Sequence, residues 1–226
     1  MLEDFKNAFA DVFDKKIRPL MLKIVLLTGG VWAVVLYAFW FALGTAQIDS
    51  SPVLSKSVQI LGFIGVVIAS LFFLPVLLSA VAGFFTESLV KSLNTGSNLT
   101  FKEPSTAQSL KISGVSALKS LLSGSVFLPL TLLLGLIPVL NFVPPLVYCF
   151  VNGRVFAYEY FFSTALCLLN ENEAQRLYDE NKSRFNKAGM IIAALMMIPV
   201  MNIFAPLIAS AFMQRQIVRL KQKEKP

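Results

Sequence analysis

The chain has 226 residues, of which 56% are hydrophobic and only 15% are charged, and its formal net charge is +7. A soluble domain of this length rarely combines so much apolar sequence with so few charges. Composition therefore predicts an integral membrane protein and argues against a soluble enzyme or a nucleic-acid-binding domain.

The first nineteen residues predict an amphipathic helix that lies in the membrane interface. Leu2, Phe5, Phe9, Val12 and Phe13 fall three or four residues apart, with charged residues between them. The stretch does not have the pattern of a signal peptide, because acidic residues come before any apolar run. The alternative is a frayed polar leader.

Four windows contain no Asp, Glu, Lys or Arg, and they lie at 24–48, 57–86, 120–153 and 188–214. Each window is long enough to enter a bilayer, whose hydrocarbon core takes about 20 helical residues to cross. The first two windows predict ordinary transmembrane helices over 20–46 and 57–90.

The third and fourth windows share a repeated motif, because "IPVLNFVPPL" at 137–146 returns as "IPVMNIFAPL" at 198–207. The leading proline of each copy favours the end of a helix or a sharp bend, since it lacks an N–H donor. The asparagine suits the N-cap of a new helix, and the second proline is tolerated in the first turn. The motif predicts helix, tight turn, helix. Its key positions are Pro138, Asn141 and Pro145 in the first copy, and Pro199, Asn202 and Pro206 in the second.

The basic residues indicate which side of the membrane each segment faces, since loops rich in Lys and Arg stay in the cytoplasm. A single crossing by each of the last two windows would put residues 154–187, with five basic residues, outside. We therefore predict two re-entrant hairpins, 115–168 and 187–215, and a basic tail, 216–226, in one all-α membrane domain. The alternative is one proline-kinked crossing in each window.

Three stretches carry a resemblance to a known family: "GLIPVLNFVPPLV", "NGRVFAYEYFFSTAL" and "RFNKAGMIIAALMMIPVMNIFAPLIASAFM". They resemble the CysZ-type sulfate permeases, which are related to the etoposide-induced 2.4 membrane proteins. The resemblance implies two crossing helices, two half-penetrating hairpins and cytoplasmic termini. It also implies an oligomer in the bacterial inner membrane that takes up sulfate for cysteine synthesis.

The same resemblance suggests further anion contacts near the two crossing helices. The family commonly has an arginine pair at the base of the first helix, where this chain has Arg18 followed by Pro19. A Pro-Phe-Asn-Gly stretch precedes a glutamate near the end of the family's second helix. Here Gly83 and Glu87 remain, without the Pro, Phe and Asn.

The hairpin tips predict an anion site independently of the resemblance. The second leg of a re-entrant hairpin begins near mid-membrane, so its free N–H groups and positive dipole end lie there. Asn141 and Asn202 would each add a side-chain amide donor to that end, or would only cap their helices. Neutral donors suit a permeating ion, because it must also leave.

Arg154, Tyr158 and Glu159 are gate candidates at the membrane edge, since Arg154 and Tyr158 are four residues apart on one helix. The alternative is that Arg154 reaches to the interface beside a nearby acid.

No catalytic set, nucleotide-binding loop or metal constellation is present, and the chain has no histidine. We predict no enzyme activity and no cofactor, and passive or ion-coupled transport of an inorganic anion such as sulfate. The partners would be membrane lipid and copies of the same chain. The alternatives are a non-transporting membrane scaffold and an intramembrane enzyme acting on lipid.

Overall fold

The computed structural model describes most of the chain. The described residues are 1–45, 56–57, 59–67, 81, 84–94, 99–112, 114–116, 118–119, 122, 140, 142–198, 201 and 204–224. Every regular element in these ranges is a helix and none is a strand. The all-α prediction is therefore confirmed for this part of the chain.

Seven helices organise the described residues. They are α1 (Leu2–Val12), α2 (Arg18–Thr45), α3 (Thr86–Leu93), α4 (Val143–Ala165), α5 (Glu171–Glu180), α6 (Lys182–Met196) and α7 (Ala205–Lys223). Residues 59–67 and 106–112 are also helical.

Helix α2 is long and apolar enough to cross a membrane, and it alone has that property in the described ranges. The qualifying stretch is Arg18–Ala42, with 25 residues, a mean hydropathy of 2.1 and 11% of its window buried. Leu26, Val34 and Phe41 are 65%, 67% and 64% exposed. Such an apolar surface needs an apolar surrounding. The second expected crossing helix, 57–90, lies only partly within the described residues, at 57, 59–67, 81 and 84–90.

Helices α4 and α6 pack against each other in antiparallel orientation. At one end Cys149 Sγ lies 3.5 Å from Met197 Sδ, and at the other the rings of Phe161 and Phe185 are 4.3 Å apart. Between these ends the backbones meet at Gly153 and Gly189, where neither residue has space for a Cβ atom. Small residues allow this close approach of two apolar helices.

Helix α6 ends at Met196 and α7 begins at Ala205, and the two helices on either side of this break run in opposite directions. The reversal is seen in the hydrogen bond from Arg184 Nε to Gln216 Oε1, which joins the two helix ends remote from the break. The helices extend beyond the uncharged window 188–214, to Lys182 at one end and Lys223 at the other. Each leg is therefore longer than its apolar part.

Helix α7 is the central element of the described fold. All residues from Ala205 to Gln214 are buried. Phe212 meets Phe5 of α1 with ring centroids 5.4 Å apart, and Gln214 Nε2 donates to the carbonyl of Val90 in α3 at 3.1 Å. The half of α7 nearest the break is thus surrounded by protein.

Helix α1 lies on α7 through a face that includes a charged residue. Its buried residues are Asp4, Ala8 and Val12. Leu2, expected on the apolar face, is 77% exposed. Asp4 tolerates burial because Gln216 Nε2 donates to it at 2.6 Å and Arg219 Nη1 at 2.9 Å. Buried charges are stable when they are paired and hydrogen-bonded in this way.

Candidate functional site

The second helix of the α6–α7 pair begins inside the protein. Ala205 and Ile208 are fully buried and Leu207 is 3% exposed. The first backbone bond of the helix runs from the Ile208 N–H to the Phe204 carbonyl, at 3.0 Å, and the Phe204 N–H before it donates to the Met201 carbonyl, also at 3.0 Å. The preceding N–H groups of a helix have no acceptor within it, and they form its positive dipole end. A partial positive charge therefore lies in a low-dielectric environment.

The prolines of the repeated motif determine where these helices start. Pro145 and Pro206 lie in the first turns of α4 and α7, as predicted, because a first-turn residue needs no N–H donor. The N-cap residues are Phe142 and Phe204. This corrects the expectation that the asparagines occupy the N-caps: the helices begin after them, where the first-turn prolines fit.

Five of the expected site residues lie outside the described residues. They are Gly83, Pro138, Asn141, Pro199 and Asn202.

Arg18 and Glu87 are described, and they lie in different settings. Arg18 is the first residue of α2, and its side chain is exposed. Its N–H donates to the carbonyl of Asp14 at 3.2 Å. Glu87 is half-buried in the first turn of α3. Only Arg18 carries the charge that attracts an anion.

Glu87 and Glu159 line the same cavity, of about 620 Å³, although they are 72 residues apart in sequence. Glu103, Thr86 and Tyr160 also line it, and none of its described lining residues is a cation. Three carboxylates repel an anion and attract a cation or a proton. The structure thus brings together two of the predicted residues with a third acid that sequence reasoning missed.

A comparison with known protein families matches residues 4–206 to the family described as Sulfate transporter CysZ/Etoposide-induced protein 2.4. The chain belongs to this family. The match covers most of the sequence, including the first copy of the repeated motif and all but the last residue of the second, and it confirms the resemblance predicted from the sequence. A comparison with curated proteins finds no match. The CysZ/etoposide-induced 2.4 family consists of membrane proteins, in agreement with the apolar helix α2.

The side chains of the three gate candidates in this CysZ-family chain have different neighbours. The guanidinium carbon of Arg154 lies 4.3 Å from the centre of the Phe150 ring, one turn earlier on α4. The Tyr158 ring lies under the ammonium group of Lys119, at 3.4 Å. Glu159 faces the acidic cavity. Among the described residues no ion pair joins Arg154 to Glu159, so the three do not form one cluster.

Two contact sets of this CysZ-family chain were not anticipated from the sequence. One is the seam where Gly153 and Ala157 of α4 meet Gly189 of α6. Its Gly-x-x-x-Ala spacing, a known helix-packing signal, is readable at 153–157 and 189–193. The other is the polar attachment of α1 to α7. It joins residues more than 200 positions apart, so no local sequence pattern predicts it.

The attachment of α1 includes an ion pair at each end of the contact. Arg215 donates from Nε and Nη2 to the two carboxylate oxygens of Asp11, at 2.6 and 2.7 Å. At the other end burial raises the pKa of Asp4, but hydrogen bonds from Arg219 and the terminal amine outweigh it, so this pKa lies below its usual value of 3.8. Asp4 is therefore an ionised partner of α7 at neutral pH.

Proposed function

We propose that this CysZ-family protein is a passive or ion-coupled permease for a small inorganic anion such as sulfate. The observation that carries the proposal is the start of α7. It begins at Ala205 among fully buried residues, after a reversal of the chain, with a positive dipole end and no charged residue before Arg215. Helix starts of this kind receive anionic groups in broken-helix transporters.

We further propose that the α6–α7 pair and the segment ending in α4 are re-entrant hairpins. Irregular backbone at membrane depth must be buried in protein or line water, and the protein-enclosed start of α7 meets that requirement. Asn141 and Asn202 would then lie just before the two helix starts and contribute amide donors from the turns. Neutral donors hold an anion weakly enough for it to leave.

The proposed setting is the bacterial inner membrane, with both termini in the cytoplasm and several copies of the chain in one assembly. The basic tail and the Lys and Arg residues of the α5–α6 region support this orientation, since Lys and Arg accumulate on the cytoplasmic side. The helix starts of neighbouring copies would together enclose the route.

The acidic cavity is unsuited to the passage of an anion. Glu87, Glu103 and Glu159 would raise the energy of a dianion that entered it. We therefore assign anion contact to Arg18 and the two helix starts. Glu87 would lie beside the route without binding the anion directly.

Transport in liposomes tests this function. The purified protein is reconstituted, and uptake of labelled sulfate is followed beside phosphate, chloride and sulfite. We expect sulfate uptake above that of empty vesicles. Asn141→Leu and Asn202→Leu should each reduce it, because they remove a donor near a helix start. Asn172→Leu, a matched change at an exposed residue of α5, should leave uptake unchanged.

Two outcomes would contradict the proposal in different ways. Leak equal to that of empty vesicles for every anion would favour the scaffold hypothesis. If none of the three asparagine variants changes uptake, the protein is a permease whose anion route does not include the repeated motif.

A further inference from the structure

A basic cavity of about 520 Å³ lies where the N-terminus of α6 meets the C-terminal part of α7. Its lining comes from the beginning of the chain, the α5–α6 junction and the last helix. The lining residues are Met1, Glu180, Asn181, Ser183, Arg184, Lys187, Arg219 and Lys223. Segments that are remote in sequence thus direct four side-chain cations toward one space.

The cavity keeps a positive charge after its internal ion pairs are taken into account. Asp4 neutralises part of the charge of Arg219 and Arg184, whose nitrogens lie 2.9 and 3.9 Å from its carboxylate. Lys187 and Lys223 are exposed and form no ion pair within the described ranges. Glu180, the one acid among the described lining residues, pairs with Arg176 at 3.7 Å.

The cation positions are held by the fold. Arg184 is fixed by its bond to Gln216, and Arg219 by two contacts to Asp4. Lys187 follows Arg184 by three residues on α6, and Lys223 follows Arg219 by four on α7, so each pair shares one helix face. The two arginines are thus held in place by their contacts, and the two exposed lysines are free to move toward a bound ligand.

The start of α6 adds backbone donors to the same space. Asn181 is its N-cap, and Asn181 and Ser183 line the cavity. The first bonds to the Asn181 carbonyl come from the N–H groups of Arg184 and Phe185. Earlier N–H groups of the turn have no acceptor inside the helix, and helix starts of this kind bind phosphate and sulfate.

We propose that this cavity binds a tetrahedral dianion, either free sulfate or phosphate or the phosphomonoester headgroup of an anionic lipid. Arg184 and Arg219 would bind the oxyanion through their guanidinium forks, and Lys187 and Lys223 would neutralise its outer charge. The site is separate from the helix starts at the break between α6 and α7. It does not depend on whether the protein transports anything.

Binding to the purified full-length protein in detergent tests the site. Titration calorimetry uses three probes: sodium sulfate, sodium phosphate and a short-chain phosphatidic acid, with short-chain phosphatidylcholine as the neutral lipid. We expect binding of at least one dianion, weakened about tenfold or more by Lys187→Ala/Lys223→Ala, since each lost charge-assisted bond is worth roughly a factor of ten. Higher salt should weaken binding as well.

The matched control is Lys6→Ala/Lys15→Ala, which removes the same charge from exposed residues outside the cavity. It should leave the affinity unchanged. Binding of the free ions assigns the site to a soluble anion, and binding of phosphatidic acid alone assigns it to lipid. Absence of binding by every dianion, or an equal loss in both double variants, would overturn the proposal. Both double variants change only exposed lysines, so their thermal unfolding should match that of the unaltered protein.

Discussion

Gly189 of α6 lies against the carbonyl of Gly153 in α4 so closely that a Cβ atom at position 189 would overlap the carbonyl oxygen. The same Cβ atom would also lie 2.8 Å from the Cβ atom of Ala157. Backbone atoms cannot move aside as a flexible side chain does. The distance between the two helices is therefore set by the absence of a side chain at this position.

Replacing this glycine should destabilise the protein through overpacking. We expect Gly189→Ala to lower the free energy of unfolding by about 1–3 kcal/mol, because the helices must separate to admit a methyl group. Gly29→Ala is the matched control, since nothing lies within 4 Å of a Cβ atom there. Unfolding in a denaturing detergent titration measures both. Equal stability of the two variants would show that the α4–α6 seam is looser than described.

The repeated motif made a helix start close to Pro206 predictable because its cause is local. Proline restricts the residues around it wherever the chain goes, so Pro206 identifies a first helical turn without knowledge of the fold. The position of the N-cap was missed by two residues. Asparagine is a good cap in isolation, but the structure starts the helix at Ala205, beside the proline.

Only part of the packed face of α1 could be read from its own sequence. Apolar spacing includes Phe5 and Val12, which do pack, but it also favours the exposed Leu2. It misses the buried Asp4, whose carboxylate is satisfied by Gln216 and Arg219. The partners are more than 200 residues away, and helical periodicity says nothing about them. Glu87 and Glu159 line one cavity although they are distant in sequence, so local patterns could not predict their proximity either. Local patterns predicted where helices start, whereas tertiary contacts determine which side chains share a site.

The bidentate pair between Asp11 and Arg215 should stabilise the attachment of α1 to α7. A double-mutant cycle with Asp11→Asn and Arg215→Gln should give a coupling energy of about 1 kcal/mol, since the geometry is two-pronged and partly shielded from water. The control cycle uses Lys111 and Glu171, an ion pair between exposed side chains. It should give a clearly smaller coupling. A larger coupling in the exposed pair would contradict the role assigned to the α1 attachment.

Asp4 should make the protein sensitive to acid. Its pKa in the folded state lies below the usual 3.8. Its contribution to the free energy of unfolding is therefore complete above pH 3.8 and is lost as the pH falls through the lower, folded pKa. The unfolding temperature should therefore drop as the pH falls below 3.8. Asp4→Asn removes the titration, keeps a hydrogen-bonding side chain and should flatten this part of the profile. Parallel profiles for the two proteins would show that Asp4 does not titrate in the α1 contact.

The orientation of the α5–α6 region decides between hairpins and kinked crossings. Single cysteines at Asn172 and Lys182, both exposed, are introduced into a background without Cys149 and Cys167. If both hairpins are re-entrant, these positions stay cytoplasmic, and an impermeant thiol reagent added outside intact cells should not label them. Permeabilised cells should show full labelling, which proves that the thiols are reachable. Labelling in intact cells would place residues 154–187 outside, so that each window crosses the membrane once and α7 does not begin at a re-entrant tip.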